Sequence, residues 1–553
     1  MKKKSHRRFK AVLLLLCIFF FLPSFDGWAE EPGRSPDGLH ETAYISPEIA
    51  ASLIDEPGEP VKVLVVLKEQ ADTPKIANMA GRLLPESLRA TIDHRQMKSL
   101  SRRAVVNSLL DVADRTQRPL LNHLSLEKLL GHVRDFKSFY IVNMLYLEAH
   151  PTIITALSRN PAVKSILPNI VFELQESSPA EVIIPEEEIE PSAASIEWNI
   201  KKIRADEVWD SFGVTGEGVV VGIIDSGVYW QHPALKEKFR GYNPAAPNTP
   251  DSEYNWFDAE LGTPDPIDCL TTSHGTHVTG TIVASTATNI YGVAPGARWI
   301  AANAFKSTTG SAESSKILAA AEYMLAPTNK NGEQPNPDMA PDILNCSWGS
   351  EPDKDKKQEA DEWFRPMVQN LRSAGILPVF AAGNTSSGAL PRSVHSPAMY
   401  PESFAVGAVD NQNKRATFSN RGPVVHYPDI FKPDICAPGV GIYSTIKNGS
   451  YGSKDGTSMA TPHIVGVAAL LLSYKPTLTV DELEDIIKST AVPLTDNTYI
   501  NSPNYGYGYG LADAFAALGV LNLIKDPRLE EAIRESLEEP PEFITIPDLE
   551  GLT

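Results

Sequence analysis

The run Gly218-Val-Val-Val-Gly-Ile-Ile-Asp225 carries no polar side chain before its last residue. A strand bears such a run only when both of its faces are covered, and that is the situation of a central strand in a parallel sheet with helices on both sides. Similar apolar runs end at Phe305, Gly349, Asn384 and Asp410, and helical patterns lie between several of them. The alternation predicts an α/β fold with a doubly wound, mostly parallel sheet over residues 197–523. In such sheets functional residues collect beyond the carboxyl ends of the strands, and Asp225 stands there just before a Ser226-Gly227 turn.

The chain upstream of that sheet has a different character. Residues 1–29 combine Lys2, Lys3, Lys4, Arg7, Arg8 and Lys10 with an apolar stretch from Ala11 to Leu22 and small residues at Gly27 and Ala29, the pattern of a signal peptide. The stretch is shorter than the ~20 residues a membrane span needs, and no span is expected once the signal is removed. Residues 30–60 read as a flexible lead-in. From Val61 to residue 172, strand signals (Val61–Leu67, Ser138–Glu148, Pro161–Pro168) and helical spacing (about Pro85–Arg118 and Pro151–Asn160) predict a small α+β domain. Residues 173–196 read as an acidic linker with an expected processing site, because Glu173–Glu190 holds seven Glu, two Pro and no basic residue.

Charge narrows the partners. The 69 acidic against 50 basic side chains give a net charge of -19, which disfavours nucleic acid and anionic membranes. Loss of Cys17 with the signal would leave Cys269, Cys346 and Cys436, which is no disulfide framework; Cys346 and Cys436 lie in strand-like runs and read as small buried hydrophobes.

Three motifs carry chemistry. Asp225 ends a strand, His274 opens His274-Gly-Thr-His277-Val-Thr-Gly280 ahead of a helix, and Ser458 sits in Gly456-Thr-Ser-Met-Ala-Thr-Pro462 at the start of another. A hydroxyl is a poor nucleophile at neutral pH. It needs an imidazole to accept its proton and a carboxylate to hold that imidazole in the right tautomer. Asn384, at the end of Ala381-Ala-Gly-Asn384, is placed to donate to the oxyanion of a tetrahedral intermediate, as is the Ser458 N–H at its helix start. His274 and His277 have a spacing that metal ligands use, but no third ligand follows in a recognisable pattern, and no metal site is assigned. The order Asp, His, Ser and the absence of Gly-x-Ser-x-Gly argue against a lipase or esterase of the α/β-hydrolase type.

Together with Ser347-Trp-Gly349, these segments resemble the subtilisin family of serine proteases, over roughly residues 197–523. The resemblance implies a serine endopeptidase acting on polypeptides through an acyl-enzyme, with Ser458 as nucleophile, His274 as base then acid, Asp225 as its orienting partner and Asn384 in the oxyanion hole. It implies that Ser347, Trp348 and Gly349 pair with an extended substrate, and that Ala381, Ala382 and Gly383 wall the primary side-chain pocket. Trp348 stands where the family commonly has a smaller aliphatic residue, which leaves subsite preference open. Segment 61–172 resembles the family's propeptide, an intramolecular inhibitor, so an inactive precursor exported to the exterior of a bacterial cell is expected. No cofactor is expected for catalysis. A structural calcium site is left open without assigned residues, since Ala287–Tyr291 is short for the family's calcium loop. Residues 524–553 read as a capping helix and the truncated start of a leucine-rich-repeat-like region.

Overall fold

The computed structural model describes residues 42–55, 58–80, 92–175, 181–183, 195–352, 362–385, 389–522 and 536. The signal segment, residues 30–41 and 56–57 of the lead-in, most of the acidic linker and nearly all of 524–553 lie outside the described residues.

The first elements are β1 (Tyr44–Ile45), α1 (Pro47–Asp55), β2 (Val61–Leu67), α2 (Thr73–Ala80), α3 (His94–Leu129), β3 (Val133–Phe139), β4 (Met144–Ala149), α4 (Pro151–Leu157) and β5 (Val163–Pro168). They form a five-stranded sheet of order β1-β5-β2-β4-β3, with β1 parallel to β5 and the other pairs antiparallel. Residues 44–55, read from sequence as part of the lead-in, thus belong to this sheet and its helical cover. The expected strand Ser138–Glu148 is instead a hairpin, because residues 140–143 turn the chain between β3 and β4.

Alternation sorts the side chains of this small domain. Val63, Val65 and Leu67 of β2 pack with Leu145, Leu147, Ile154 and Leu157 in a core of its own. Leu64, Val66, Met144 and Leu167 point the other way, into a cluster shared with the larger sheet. Helix α3 begins at a reciprocal capping box between Asp93 and Gln96, which satisfies two otherwise orphaned N–H groups. Its C-terminal half gives Leu120 and Leu124 to the small core, and its N-terminal half gives Val105, Val106 and Leu109 to the shared one.

The chain continues through β6 (Val171–Leu174), β7 (Glu181–Ile183), β8 (Ser195–Ile196), α5 (Trp198–Lys202), α6 (Ala205–Phe212), β9 (Val220–Asp225), β10 (Trp256–Asp258), α7 (His274–Val283), β11 (Asn289–Ile290), β12 (Arg298–Asn303), β13 (Ser311–Glu313), α8 (Ser314–Leu325), β14 (Ile343–Cys346) and β15 (Trp348–Gly349). It closes with α9 (Arg365–Ser373), β16 (Leu377–Ala381), β17 (Phe404–Val409), β18 (Ile435–Pro438), β19 (Ile442–Thr445), β20 (Tyr451–Lys454), α10 (Thr457–Tyr474), α11 (Val480–Ser489) and α12 (Ala514–Asn522). Seven strands form a wholly parallel sheet of order β10-β12-β9-β14-β16-β17-β18, as the apolar run at β9 predicts.

Both faces of that sheet are covered. Val221, Ile223, Trp299, Val379 and Val406 face a core made with α7 and α10, while Ile224, Ile300, Leu344, Phe380 and Ala405 face a second core made with α8 and α9. Among the described residues, α10 is the one helix long and apolar enough to cross a membrane by length and composition, and 89% of it is buried in the fold. Cys269, Cys346 and Cys436 are free thiols, the last two buried as expected.

Candidate active site

Four strand or helix ends meet at the carboxyl edge of the large sheet. Asp225 is the last residue of β9, His274 the first of α7, Ser458 the second of α10, and Asn384 follows the end of β16. Asp225, His274 and Ser458 are all fully buried.

His274 Nδ1 stands 2.8 and 3.0 Å from the two carboxylate oxygens of Asp225. A carboxylate only accepts, so Nδ1 carries the proton and Nε2 is left as the basic nitrogen. The Ser226 N–H (2.7 Å) and hydroxyl (3.2 Å) donate to Asp225 Oδ1 and hold the carboxylate in place. Behind this pair stands Asp268, which no motif announced. Its Oδ1 lies 2.9 Å from the Ser226 hydroxyl, and its Oδ2 accepts from the Thr276 N–H (2.9 Å) and hydroxyl (2.7 Å), tying the start of α7 to the end of β9. Burial pushes the Asp268 carboxyl up to about 6. His277 faces elsewhere: its Nε2 is 3.0 Å from the carbonyls of both Ile442 and Gly452 on the β19–β20 hairpin, so the two histidines of the motif do not converge.

The Ser458 hydroxyl donates to the Ser347 carbonyl at 2.9 Å, and the Ser347 hydroxyl donates back to the Ser458 carbonyl at 3.0 Å. Asn384 Oδ1 accepts from the Thr457 N–H (3.0 Å) and hydroxyl (2.9 Å). That pair fixes the amide so that Nδ2, the donor, faces the cleft. Thr457 is a second orienting residue that sequence reading passed over, since a threonine beside the serine carries no signal of its own.

The cleft holds the protein's own chain. Strand β6 lies between β15 and β13, antiparallel to both, with Leu174 opposite Trp348, Glu173 opposite Gly349 and Phe172 opposite Ala312. Phe172 is fully buried, edge-on to Trp348 (5.3 Å between ring centroids) and tilted against Phe364 (5.1 Å). Trp348 therefore walls the site of Phe172, while its indole N–H donates to the Ile224 carbonyl (3.0 Å) and anchors it to β9. The next residue is decisive. The carbonyl oxygen of Gln175 accepts from Asn384 Nδ2 at 2.6 Å and from the Ser458 N–H at 3.3 Å. A Cβ at Gly456 would fall 2.5 Å from that oxygen, so only glycine leaves it room. Two converging donors beside a serine are the arrangement that stabilises a developing oxyanion in acyl transfer.

The sequence profile of the Subtilase family matches residues 216–510, which include Asp225, His274, Asn384 and Ser458. The chain belongs to the subtilase family. Bacillopeptidase F of Bacillus subtilis (strain 168) is 41% identical over 532 residues, 94% of this chain and 36% of that protein. Subtilisin E of the same organism is 35% identical over 360 residues, 65% of this chain and 80% of the relative. Subtilisin of Bacillus pumilus is 36% identical over 326 residues, 59% of this chain and 99% of the relative. The chain spans about a third of the length of Bacillopeptidase F. Like other subtilases it has an α/β fold around a large parallel sheet, here preceded by the small sheet domain described above. Among its described residues no group of three or more His, Cys, Asp or Glu side chains is disposed to hold a metal ion, and calcium is assigned to none of them.

Proposed function

We propose that this subtilase is a secreted serine endopeptidase made as an autoinhibited precursor, with residues 61–172 and their ordered N-terminal extension as its inhibitory prosegment. Ser458 is the nucleophile. Rotation of its hydroxyl from Ser347 toward His274 Nε2 passes the proton to the imidazole, which later returns it to the leaving amine, while Asp225 stabilises the imidazolium that forms. Asn384 Nδ2 and the Ser458 N–H stabilise the oxyanion. Ser347, Trp348 and Gly349 pair with the extended substrate, and Ala381, Ala382 and Gly383 wall the pocket beside its reactive carbonyl. These groups complete the reaction with water and require no cofactor.

One observation carries this reading: the Gln175 carbonyl lies between the two oxyanion donors, at the end of a strand paired as a substrate would be. The first bond cut is then Gln175–Glu176, inside the 173–196 linker. The cleft's strand-pairing edges favour polypeptides over small esters. The signal-like segment at residues 1–29 supports export.

Expression of the precursor beside its Ser458→Ala variant tests this. Wild type should yield a fragment whose N-terminus is Glu176 and should digest casein, and the variant should do neither. Self-processing by Ser458→Ala would remove Ser458 from the mechanism, and a first cut elsewhere would remove the bond assignment.

A further inference from the structure

The pocket between Ser347–Gly349 and Ala381–Gly383 has a third side, His395, which belongs to none of the motifs. Its main chain is fastened to both walls. The His395 N–H donates to the Ala382 carbonyl (3.0 Å), and the following residue, Ser396, exchanges two bonds of 2.9 Å with Ser350. Its side chain fills space that two glycines leave open. A Cβ on Gly349 would lie 2.9 Å from His395 Cβ and 3.3 Å from Nδ1, and a Cβ on Gly383 would lie 2.6 Å from His395 Cγ.

Two polar atoms at this place lack a partner. His395 is 5% exposed, and its Nδ1 makes no hydrogen bond. Asn420, fully buried, uses its Oδ1 to accept from the Thr385 hydroxyl (2.7 Å) but leaves Nδ2 unpaired, and that nitrogen is 2.4 Å from where a Gly383 Cβ would stand. Buried polar atoms are nearly always paired, so two together in a cleft wall mark a place where a ligand group or water belongs. Burial pushes the His395 pKa down to about 4, which makes the ring a neutral hydrogen-bonding group near neutral pH.

Gln175 follows the shape of this wall. Its side chain folds back, with Oε1 accepting from the Asn384 N–H (2.9 Å) and Nε2 donating to the Gly349 carbonyl (3.3 Å) and to the Glu173 carbonyl of its own strand (2.9 Å). Folded back in this way, Gln175 leaves His395 Nδ1 and Asn420 Nδ2 buried and unpaired; a polar side chain extended toward them has groups to pair with both, whereas a large apolar one would meet the imidazole and offer neither a partner.

We propose that His395, with Asn420 behind it, makes this pocket short and polar, so that the enzyme cleaves after glutamine and side chains of similar size and polarity in preference to large aromatic ones. The inference rests on the peptidase reading of the cleft.

The test is kcat/KM of the processed enzyme on p-nitroanilides of Phe-Glu-Leu-X, the sequence of residues 172–174 followed by X as Gln, Asn, Leu, Phe or Tyr. Gln should exceed Phe by about tenfold or more, the scale on which a pocket with unpaired polar groups discriminates. His395→Gly should reverse that order by opening the pocket. A wild-type enzyme that prefers Phe or Tyr overturns the inference on its own, whether or not the variant folds, and so does an unchanged Gln/Phe ratio in His395→Gly. If no member of the series is hydrolysed, the peptidase reading falls with it; hydrolysis in the wrong order overturns the pocket alone.

Discussion

The side-chain amide of Asn384 stands 2.6 Å from the carbonyl oxygen of Gln175, and the opposite end of the same amide is held by Thr457. The donor is thus pre-aimed and needs no reorganisation when charge develops on that oxygen. Asn384→Ala should slow appearance of the Glu176 N-terminus by about 10² to 10³-fold, the loss that removing one oxyanion donor costs in a subtilisin. Thr457→Val should produce a smaller loss of the same kind, since it removes the hydroxyl bond to Oδ1 and leaves the N–H bond and the donor present. Time courses of precursor cleavage by mass spectrometry measure both. Equal rates in wild type and Asn384→Ala would exclude the amide from the reaction.

The small domain meets the larger one at the carboxylate of Glu322. Glu322 of α8 is partly buried and accepts from the Tyr140 (2.7 Å) and Ile141 (3.1 Å) N–H groups in the turn between β3 and β4. Burial pushes its pKa up to about 7 from an ordinary 4.5, against the opposing pull of those two N–H groups and of Lys137. A separated prosegment would leave the carboxyl facing water and near its ordinary value. The joined state then holds the extra proton between those two values, so this contribution to association is complete below pH 4.5 and is lost as the pH rises through about 7. After Gln175–Glu176 is cut, the prosegment should dissociate faster at pH 8 than at pH 5.5. Glu322→Gln should flatten that dependence. Release followed by fluorescence across this range decides it, and a pH-independent wild type would show that Glu322 does not couple to the contact.

What the sequence made legible follows the range of the interactions involved. Asp225, His274, Asn384 and Ser458 each sit at a boundary of a regular element, where an apolar run or a helical pattern stops at a chemically suited side chain. The seven-stranded sheet is legible for the same local reason, since runs such as Val220–Ile224 need cover on both faces. Asp268 was hidden because it lies in an irregular loop with no period to mark it. The parts played by Phe172 and Gln175 were hidden because they depend on pairing with residues 311–313 and 348–349, far along the chain, and nothing within β6 itself encodes that register. His395 was hidden for both reasons. Its neighbours Gly349 and Gly383 were visible as pocket walls, but the side chain that comes between them was not.

Arg102 provides the most exacting test of how the small domain is held. It lies on the N-terminal half of α3, fully inside the contact, and its guanidinium donates to the carbonyls of Ala374 (2.9 Å), Ala340 (3.2 Å) and Pro341 (3.2 Å), all main-chain oxygens at turns of the larger domain. Burial lowers its pKa, and the nearby carboxylates of Asp342 and Asp338 oppose that shift without cancelling it. Lys98, one helical turn earlier, bonds Asp342 at 2.7 Å and extends the same seam. Arg102→Ala would strand several buried carbonyl oxygens at once, each an acceptor that water cannot readily reach. Leaving one such group unsatisfied costs about 1–3 kcal/mol. In a Ser458→Ala background, where self-digestion is absent, Arg102→Ala should lower precursor stability in urea by about 2–4 kcal/mol, somewhat more than one such group. Arg102→Lys should recover only part of the loss, because an ammonium cannot span the set of carbonyls that the planar guanidinium reaches. A denaturation midpoint unmoved by Arg102→Ala would mean that water satisfies those carbonyls, and that the small domain is held by its apolar face alone.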